Sequence, residues 1–198
     1  MVVSPLIVPT TLFVLVGLAE KLSMADLIRV GVVSAVIYCV LPLIYLFILI
    51  RKGHIQTIEA RDHQSRKKPL LWGSLLLTAA IPGMVWAWPE PTHLPFLMSS
   101  LFAFNAVILA LITTKIKISL HVCSIASMVS IMLALKWFNL IDWIPGAPLS
   151  WVIGVGLIAL VSWARIDQTA HSNREVIWGL VYGMILPWLE IAVFRSAM

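Results

Sequence analysis

Two histidines of this chain stand beside residues with which an imidazole could do chemistry. His171 is followed four positions later by Glu175, a spacing that places both side chains on one face of a helix. A carboxylate in that position fixes the imidazole tautomer and stabilises imidazolium. His121 follows Ser119 at the start of an apolar run, where a helix N-terminus presents free N–H groups to an anion. Both segments therefore indicate anion binding next to a reactive imidazole.

A third polar segment, from Arg61 to Pro69, contributes cations. Arg61 and Lys68 are seven positions apart, which is two helical turns, so a helix would place both charges on one face. Pro69 then introduces an apolar stretch at a helix start, where its missing N–H costs little. Arg165 precedes His171 by six positions, on a segment that we expect to connect two helices. Such polar groups at membrane depth suit a site for an anion.

Each polar segment also has an interpretation without chemistry. Ser172 or Asn173 would cap a helix at whose start Glu175 favours the helix dipole. Ser119 would likewise cap a helix that carries an interfacial histidine. The segment 61–69 would be a solvated basic loop that contacts anionic lipid. The choice depends on whether the three segments meet in space.

The elements that must position these residues are predicted to be membrane helices. The chain is 61% hydrophobic and 12% charged, whereas soluble domains have roughly 45–50% apolar and about 25% charged residues. Its apolar runs lack the alternation of a β-barrel, so helices must satisfy the backbone in lipid. We expect an all-α integral membrane bundle of six to seven transmembrane helices, forming a single domain, 1–198. The apolar stretches are Val2–Ala19, Leu27–Ile50, Leu70–Trp88, Pro95–Thr114, Ser119–Phe138, Leu149–Ala164 and Val176–Phe194.

The alternation of spans predicts that the three polar segments share one face of the membrane. The stretch Leu27–Ile50 leads into a long connection, the site loop 51–69. The next two spans return the chain to the same face at Lys115–Ile118, and two more return it at Arg165–Arg174. Most of the Lys and Arg residues lie on this face, so the positive-inside rule predicts that it is cytoplasmic.

The order and spacing of the three segments are similar to those of the type 2 phosphatidic acid phosphatase superfamily. That family's pattern is K-x6-R-P, then P-S-G-H, then S-R-x5-H-x3-D, and every internal spacing fits this chain. The resemblance runs from Arg61 to Glu175 and implies a phosphatase-like helical core over about 27–196. The matching segments are Arg61-x6-Lys68-Pro69, Ile118-Ser119-Leu120-His121 and Ala164-Arg165-x5-His171-x3-Glu175.

The resemblance implies a membrane phosphatase that hydrolyses a lipid phosphate or a polyprenyl diphosphate through a phosphohistidine intermediate. His171 would be the nucleophile, Glu175 would orient it, and His121 would protonate the leaving oxygen. Cationic side chains would stabilise the charge that spreads over the phosphoryl oxygens, so no cofactor and no metal is expected. The phosphate-binding residues would be Arg61, Lys68, Ser119 and Arg165.

Several positions depart from the family pattern. Arginine and lysine are exchanged at Arg61 and Lys68, which keeps the charge but changes the hydrogen-bonding geometry. Leu120 replaces a glycine that lets the backbone approach phosphate, and Glu175 replaces an aspartate. These departures leave open a second function, in which the fold has lost catalysis and serves as an accessory subunit of a larger membrane complex.

The predicted partners are membrane lipids, a lipid phosphate substrate and other membrane subunits. Nucleic acid is not expected, because the basic residues lie between spans and no aromatic residues are interleaved with them. A transporter or proton relay is disfavoured, since the ionisable groups cluster at one interface rather than at the bilayer midplane.

Overall fold

The described part of the chain is almost entirely helical. The computed structural model describes residues 5–53, 63–89, 92–113, 116–142, 146 and 148–197, apart from the side chains of 63–70. No strand occurs among these residues, so the predicted all-α fold is confirmed for them. The helices are α1 (Val8–Ala19), α2 (Met24–Ala35), α3 (Leu41–Arg51), α4 (His63–Ala79), α5 (Ile81–Ala87), α6 (Leu94–Ile112), α7 (Leu120–Trp137), α8 (Leu149–Asp167) and α9 (Asn173–Ser196).

Five of the helical segments are long and apolar enough to cross a membrane. They are Met24–Arg51, which joins α2 to α3, and the helices α6, α7, α8 and α9. Two shorter apolar helical segments, Val8–Ala19 and Leu71–Ala87, correspond to the first and third predicted stretches. The prediction of a helical membrane protein is therefore confirmed. The described residues contain five candidate spans, and the expected six to seven spans and the phosphatase-like core stay predictions.

The joint between α2 and α3 is a π-helical turn at Val36–Val40. Pro42 has no N–H to donate to the carbonyl of Tyr38, and the Leu41 N–H instead reaches back to the carbonyl of Val36. The turn directs Tyr38 into the core, where it is 1% exposed. Its ring centroid lies 5.5 Å from that of Phe13 in α1 and 5.5 Å from that of Phe102 in α6.

The helices α7 and α9 pack closely because two glycines of α9 face the α7 backbone. A Cβ atom on Gly179 would lie 2.8 Å from the carbonyl oxygen of Ser119, and one on Gly183 would collide with the carbonyl oxygen of Cys123. Ser130 donates a hydrogen bond of 2.6 Å to the carbonyl oxygen of Met184. Small residues four apart allow this approach in membrane helices, and it fixes the start of α7 beside the start of α9.

The boundaries around the first polar segment correct two predictions. Helix α4 already begins at His63, so the predicted site loop 51–69 is helical in its last part. Pro69 lies in the second turn of α4, not at a helix start. A third correction concerns Arg165, which was expected on a connecting segment and lies in the last turn of α8. Helices α4, α8 and α9 extend further toward the polar segments than the hydropathy of their apolar runs indicates.

Candidate functional site

The centre of the site is the pair formed by His171 and Glu175. His171 precedes α9 and is only 6% exposed. Its Nδ1 lies 2.7 Å from Oε2 of Glu175, one helical turn further on. The sequence predicted this contact from the spacing of four. Because the carboxylate accepts a hydrogen bond from Nδ1–H, the neutral imidazole keeps its lone pair on Nε2.

Lys117 also belongs to the site, although it is not part of the three-segment pattern from which the site was predicted. Its Nζ lies 3.4 Å from the same Oε2 atom of Glu175, so Glu175 is shared by one imidazole and one ammonium group. The ion pair is partly buried, which reduces its screening by solvent. Its position two residues before Ser119 is the feature of the sequence that could have indicated its place in the site.

Ser172 caps the start of α9, as expected if this polar segment served only to begin a helix. Its hydroxyl accepts a hydrogen bond from the Glu175 backbone N–H at 3.4 Å. The same structure also brings the Glu175 side chain to His171. Capping and the imidazole–carboxylate contact are therefore compatible, and the cap serves to hold Glu175 in place.

The short turn between α8 and α9 ties Arg165 to His171. The His171 backbone N–H donates to the carbonyl oxygen of Arg165 at 3.2 Å, and Arg165 is only 8% exposed. Thr169 occupies the left-handed region of this turn, with φ at 52°. A β-branched residue in that region is an outlier, and strain of this kind is concentrated at functional sites.

The second polar segment meets the third through the backbone. The Ser119 N–H donates to the carbonyl oxygen of Glu175 at 3.1 Å. Ser119 precedes α7, yet its side chain forms no capping hydrogen bond. Its residue is fully buried, and its Oγ has no hydrogen-bond partner among the described residues. The interpretation that the Ser119 side chain caps α7 is therefore wrong, and its buried hydroxyl lies at a helix N-terminus, a place that favours anions.

His121 and Leu120 occupy the first turn of α7, immediately after Ser119. Both side chains are half-buried. Helix N-termini carry backbone N–H groups without intrahelical partners, so this turn combines an imidazole with donors for an anion.

Burial lowers the pKa of His171 below the ordinary histidine value of 6.5. The hydrogen bond from Nδ1 to Glu175 opposes this effect, and the charges of Arg165 and Lys117 reinforce it. The imidazole is consequently neutral at pH 7, and its Nε2 is able to attack an electrophile.

The structure thus brings together His171, Glu175, Arg165 and Ser119, and it sets His121 on the adjoining turn. Arg61 lies outside the described residues. Lys68 lies in the first part of α4, in the range 63–70 whose side chains are not described. Its part in the site therefore stays a prediction. Over the described ranges, no group of three His, Cys, Asp or Glu side chains is arranged to hold a metal ion.

Comparison with known proteins does not assign the chain to a family. No protein-family model, no curated protein and no solved structure matches it. The chemistry of the site must therefore follow from its own residues, above all from the His171–Glu175 pair and the buried Ser119 hydroxyl.

Proposed function

We propose that this protein is a membrane phosphatase that hydrolyses a lipid phosphate or a polyprenyl diphosphate through a phosphohistidine intermediate. The observation that carries the proposal is the buried His171, oriented by Glu175 at 2.7 Å. Two buried residues that suit phosphoryl oxygens, Arg165 and Ser119, adjoin it. An imidazole, a carboxylate and preorganised donors at one place are what phosphoryl transfer to histidine requires.

The first chemical step is attack of His171 Nε2 on phosphorus. The bond between phosphorus and the leaving oxygen breaks as the bond to nitrogen forms, and His121 transfers a proton to that oxygen. Glu175 stabilises the positive charge that develops on the imidazole ring. The guanidinium of Arg165 and the hydroxyl of Ser119 stabilise the charge on the phosphoryl oxygens.

The second step restores the enzyme. His121, now neutral, accepts a proton from water, whose oxygen attacks the phosphorus of phosphohistidine. The bond from phosphorus to Nε2 breaks, and the lone pair returns to the imidazole. Inorganic phosphate then leaves from a monoester substrate, and every proton is accounted for by water and His121.

The surroundings of the site favour a substrate with an apolar tail. The last turns of α8 and the first turns of α9 expose large apolar side chains close to His171 in the chain. Trp163 is 62% exposed and Ile177 is 57% exposed. In a membrane these side chains face lipid, so a tail would lie along them while its phosphate reaches the site at the helix ends.

The test is phosphate release by detergent-purified protein on phosphatidic acid, phosphatidylglycerophosphate and polyprenyl diphosphates. We expect release by the unmodified protein and none above background by His171→Ala. The matched control is His93→Ala. His93 lies beside a recess at the start of α6 and the end of α9, which is the end of the bundle away from His171. Release that persists in His171→Ala would contradict the proposal.

Ser119→Ala extends the same test to phosphate binding. The hydroxyl forms no capping bond, so we expect its removal to leave the fold intact and to lower kcat by about 10²-fold, as for the loss of one transition-state donor. An unchanged kcat would remove Ser119 from the phosphate site.

A second function is favoured by one observation, the ion pair of Lys117 with Glu175. A carboxylate already neutralised by an ammonium group stabilises a positive imidazole less well. In the accessory-subunit alternative, the site holds a lipid phosphate without turning it over and the protein assembles with other membrane subunits. Its signature is lipid phosphate binding by folded protein, with no release of phosphate and with stable co-purification of partner subunits.

A further inference from the structure

A second polar pair lies within the candidate spans, away from His171. Asn105 of α6 donates a hydrogen bond from Nδ2 to Oε2 of Glu190 in α9 at 2.8 Å. The same nitrogen donates to the carbonyl oxygen of Leu101 at 2.7 Å. An amide has two N–H hydrogens, so both are used. Ionisable groups were expected to cluster at one interface. Glu190 lies within the α9 span instead, away from that interface.

Two oxygen atoms of this pair have no partner. Asn105 Oδ1 and Glu190 Oε1 are both shielded from solvent and accept no hydrogen bond from the described residues. Glu190 also takes part in no ion pair within the described ranges. An ionised carboxylate with a single neutral donor is costly to bury, whereas its protonated form loses most of that cost.

The helices packed against Glu190 offer few groups that would neutralise it. Helix α6 has no titratable residue, and those of α8, Arg165 and Asp167, lie in its last turn, toward the start of α9. From α7, Lys136 is directed to the carbonyl oxygen of Asp142. The remaining groups are Cys123 and His121 of α7, and on α9 itself Tyr182, which interacts with Glu190, Arg195, Arg174 and Glu175.

Glu190 is nearest to the face opposite the phosphate site. It lies six residues before Ser196, the last residue of α9, which is roughly 9 Å along the helix axis. His171 and Glu175 lie at the other end of the same helix. Glu190 therefore lies closer to the face where α9 ends than to the face of His171.

We propose that Glu190, held by Asn105, is an intramembrane proton-binding site that takes up one proton on Oε1 and exchanges it with the face opposite His171. Uptake converts the carboxylate and a hydronium ion into a carboxylic acid and water, so charge and atoms balance. The protonated carboxyl group carries no charge, so it is stable in the low dielectric of the bilayer without a counter-ion. The site is independent of phosphate hydrolysis and stands whether or not His171 is a nucleophile.

The probe is dicyclohexylcarbodiimide, an apolar reagent that adds to protonated carboxyl groups and leaves a mass tag on the side chain. The purified full-length protein is treated at a series of pH values, and the tagged peptides are identified by mass spectrometry. We expect the tag on Glu190 at neutral pH, with its yield falling as pH rises. Asp26 and Glu175 serve as internal controls, since both are held in ion pairs.

Glu190→Gln separates the proposal from a purely structural role. Its neutral amide resembles the protonated acid, so we expect no tag at position 190 and an unchanged Tm at neutral pH. Absence of the tag from Glu190 at every pH, or equal tagging of Glu190 and Asp26, would overturn the proposal. A large fall in Tm for the glutamine variant would also overturn it, because it would mean that the ionised form is the one that the fold uses.

Discussion

One oxygen atom of Glu175 contacts both an imidazole and an ammonium group, and this sharing sets the acid–base behaviour of the site. His171 Nδ1 and Lys117 Nζ both approach Oε2, at 2.7 Å and 3.4 Å. The hydrogen bond to Glu175 raises the pKa of His171, whereas the charge of Lys117 lowers it. The two neighbours therefore change the pKa of His171 in opposite directions, which gives a direct test of the arrangement.

We expect Lys117→Met and Glu175→Gln to move the pH dependence of kcat/KM in opposite directions. In the proposed mechanism only neutral His171 attacks phosphorus, so activity should be lost as pH falls through its pKa, which lies below 6.5. Removal of the lysine charge raises that pKa and moves the acid limb to higher pH. Removal of the carboxylate charge lowers it and moves the limb to lower pH. A pH–rate profile for each variant is the measurement.

The control for this prediction is Lys136→Met, because Lys136 lies at the far end of α7 and interacts with the carbonyl oxygen of Asp142. Its acid limb should coincide with that of the unmodified protein. Parallel shifts in the Lys117 and Glu175 variants would show that neither residue acts on His171 through its charge.

Residue spacing predicted the contact within one short segment of the chain, and it failed where two helices meet. His171 precedes α9 and Glu175 lies in its first turn, so the capped start of this helix fixes their relative position. The contact of Lys117 with Glu175 depends on how α7 approaches α9, which no local pattern specifies. The prediction that Ser119 caps α7 was wrong for the same reason, because Ser119 bonds to the backbone of α9, which no local pattern specifies.

At the scale of elements, the site depends on the approach of α7 to α9. Gly179 lies against the carbonyl oxygen of Ser119, the residue whose N–H binds the carbonyl oxygen of Glu175. Gly183 lies one turn further, against Cys123 and Ala126. The two glycines are spaced as G-x-x-x-G, a sequence signal for close helix packing in membranes on which none of the sequence-based predictions relied.

We expect Gly179→Ala to destabilise the fold by about 1–3 kcal/mol, as overpacking does. The added methyl group would lie 2.8 Å from a backbone oxygen that cannot turn away, so α7 must move and carry Ser119 from the site. Activity should fall more steeply than the stability loss explains. Thermal unfolding in detergent and phosphate release measure the two effects.

Gly156→Ala is the matched substitution for that experiment. Gly156 lies in α8, and a Cβ there would have no atom within 4 Å. Alanine is the better helix former, so Tm should be unchanged or slightly higher. Equal losses in the two variants would mean that the α7–α9 contact is not what positions the site.

At the scale of the molecule, the two ends of the bundle differ in character. One end carries His171, Glu175 and Lys117. The other end carries Lys136, Asn139 and the recess beside His93. The sequence predicted a helical membrane protein because composition alone demands it, but it did not predict where hydropathy and helix boundaries diverge, as at His63 and Arg165.

We propose that the end with His171 faces the cytoplasm, as the distribution of Lys and Arg predicts. Thr169→Cys and Asn139→Cys are matched probes, since both positions are exposed turns with positive φ at opposite ends of the bundle. A membrane-impermeant maleimide should label Asn139→Cys in intact cells and Thr169→Cys only in inverted vesicles. The reverse pattern would place the phosphate site outside the cytoplasm.

The π-helical turn at Val36–Val40 marks where this chain would tolerate a change of length. Such a turn equals an α-helix with one residue inserted, so deletion of Cys39 would leave a continuous helix. Because the deleted residue is the one that the π-helical turn accommodates, the segment Leu41–Arg51 would keep its orientation relative to α2. Residues such as Ile44 and Phe47, which are already exposed, would therefore stay on the same surface. The first long span thus contains a natural site for a one-residue indel.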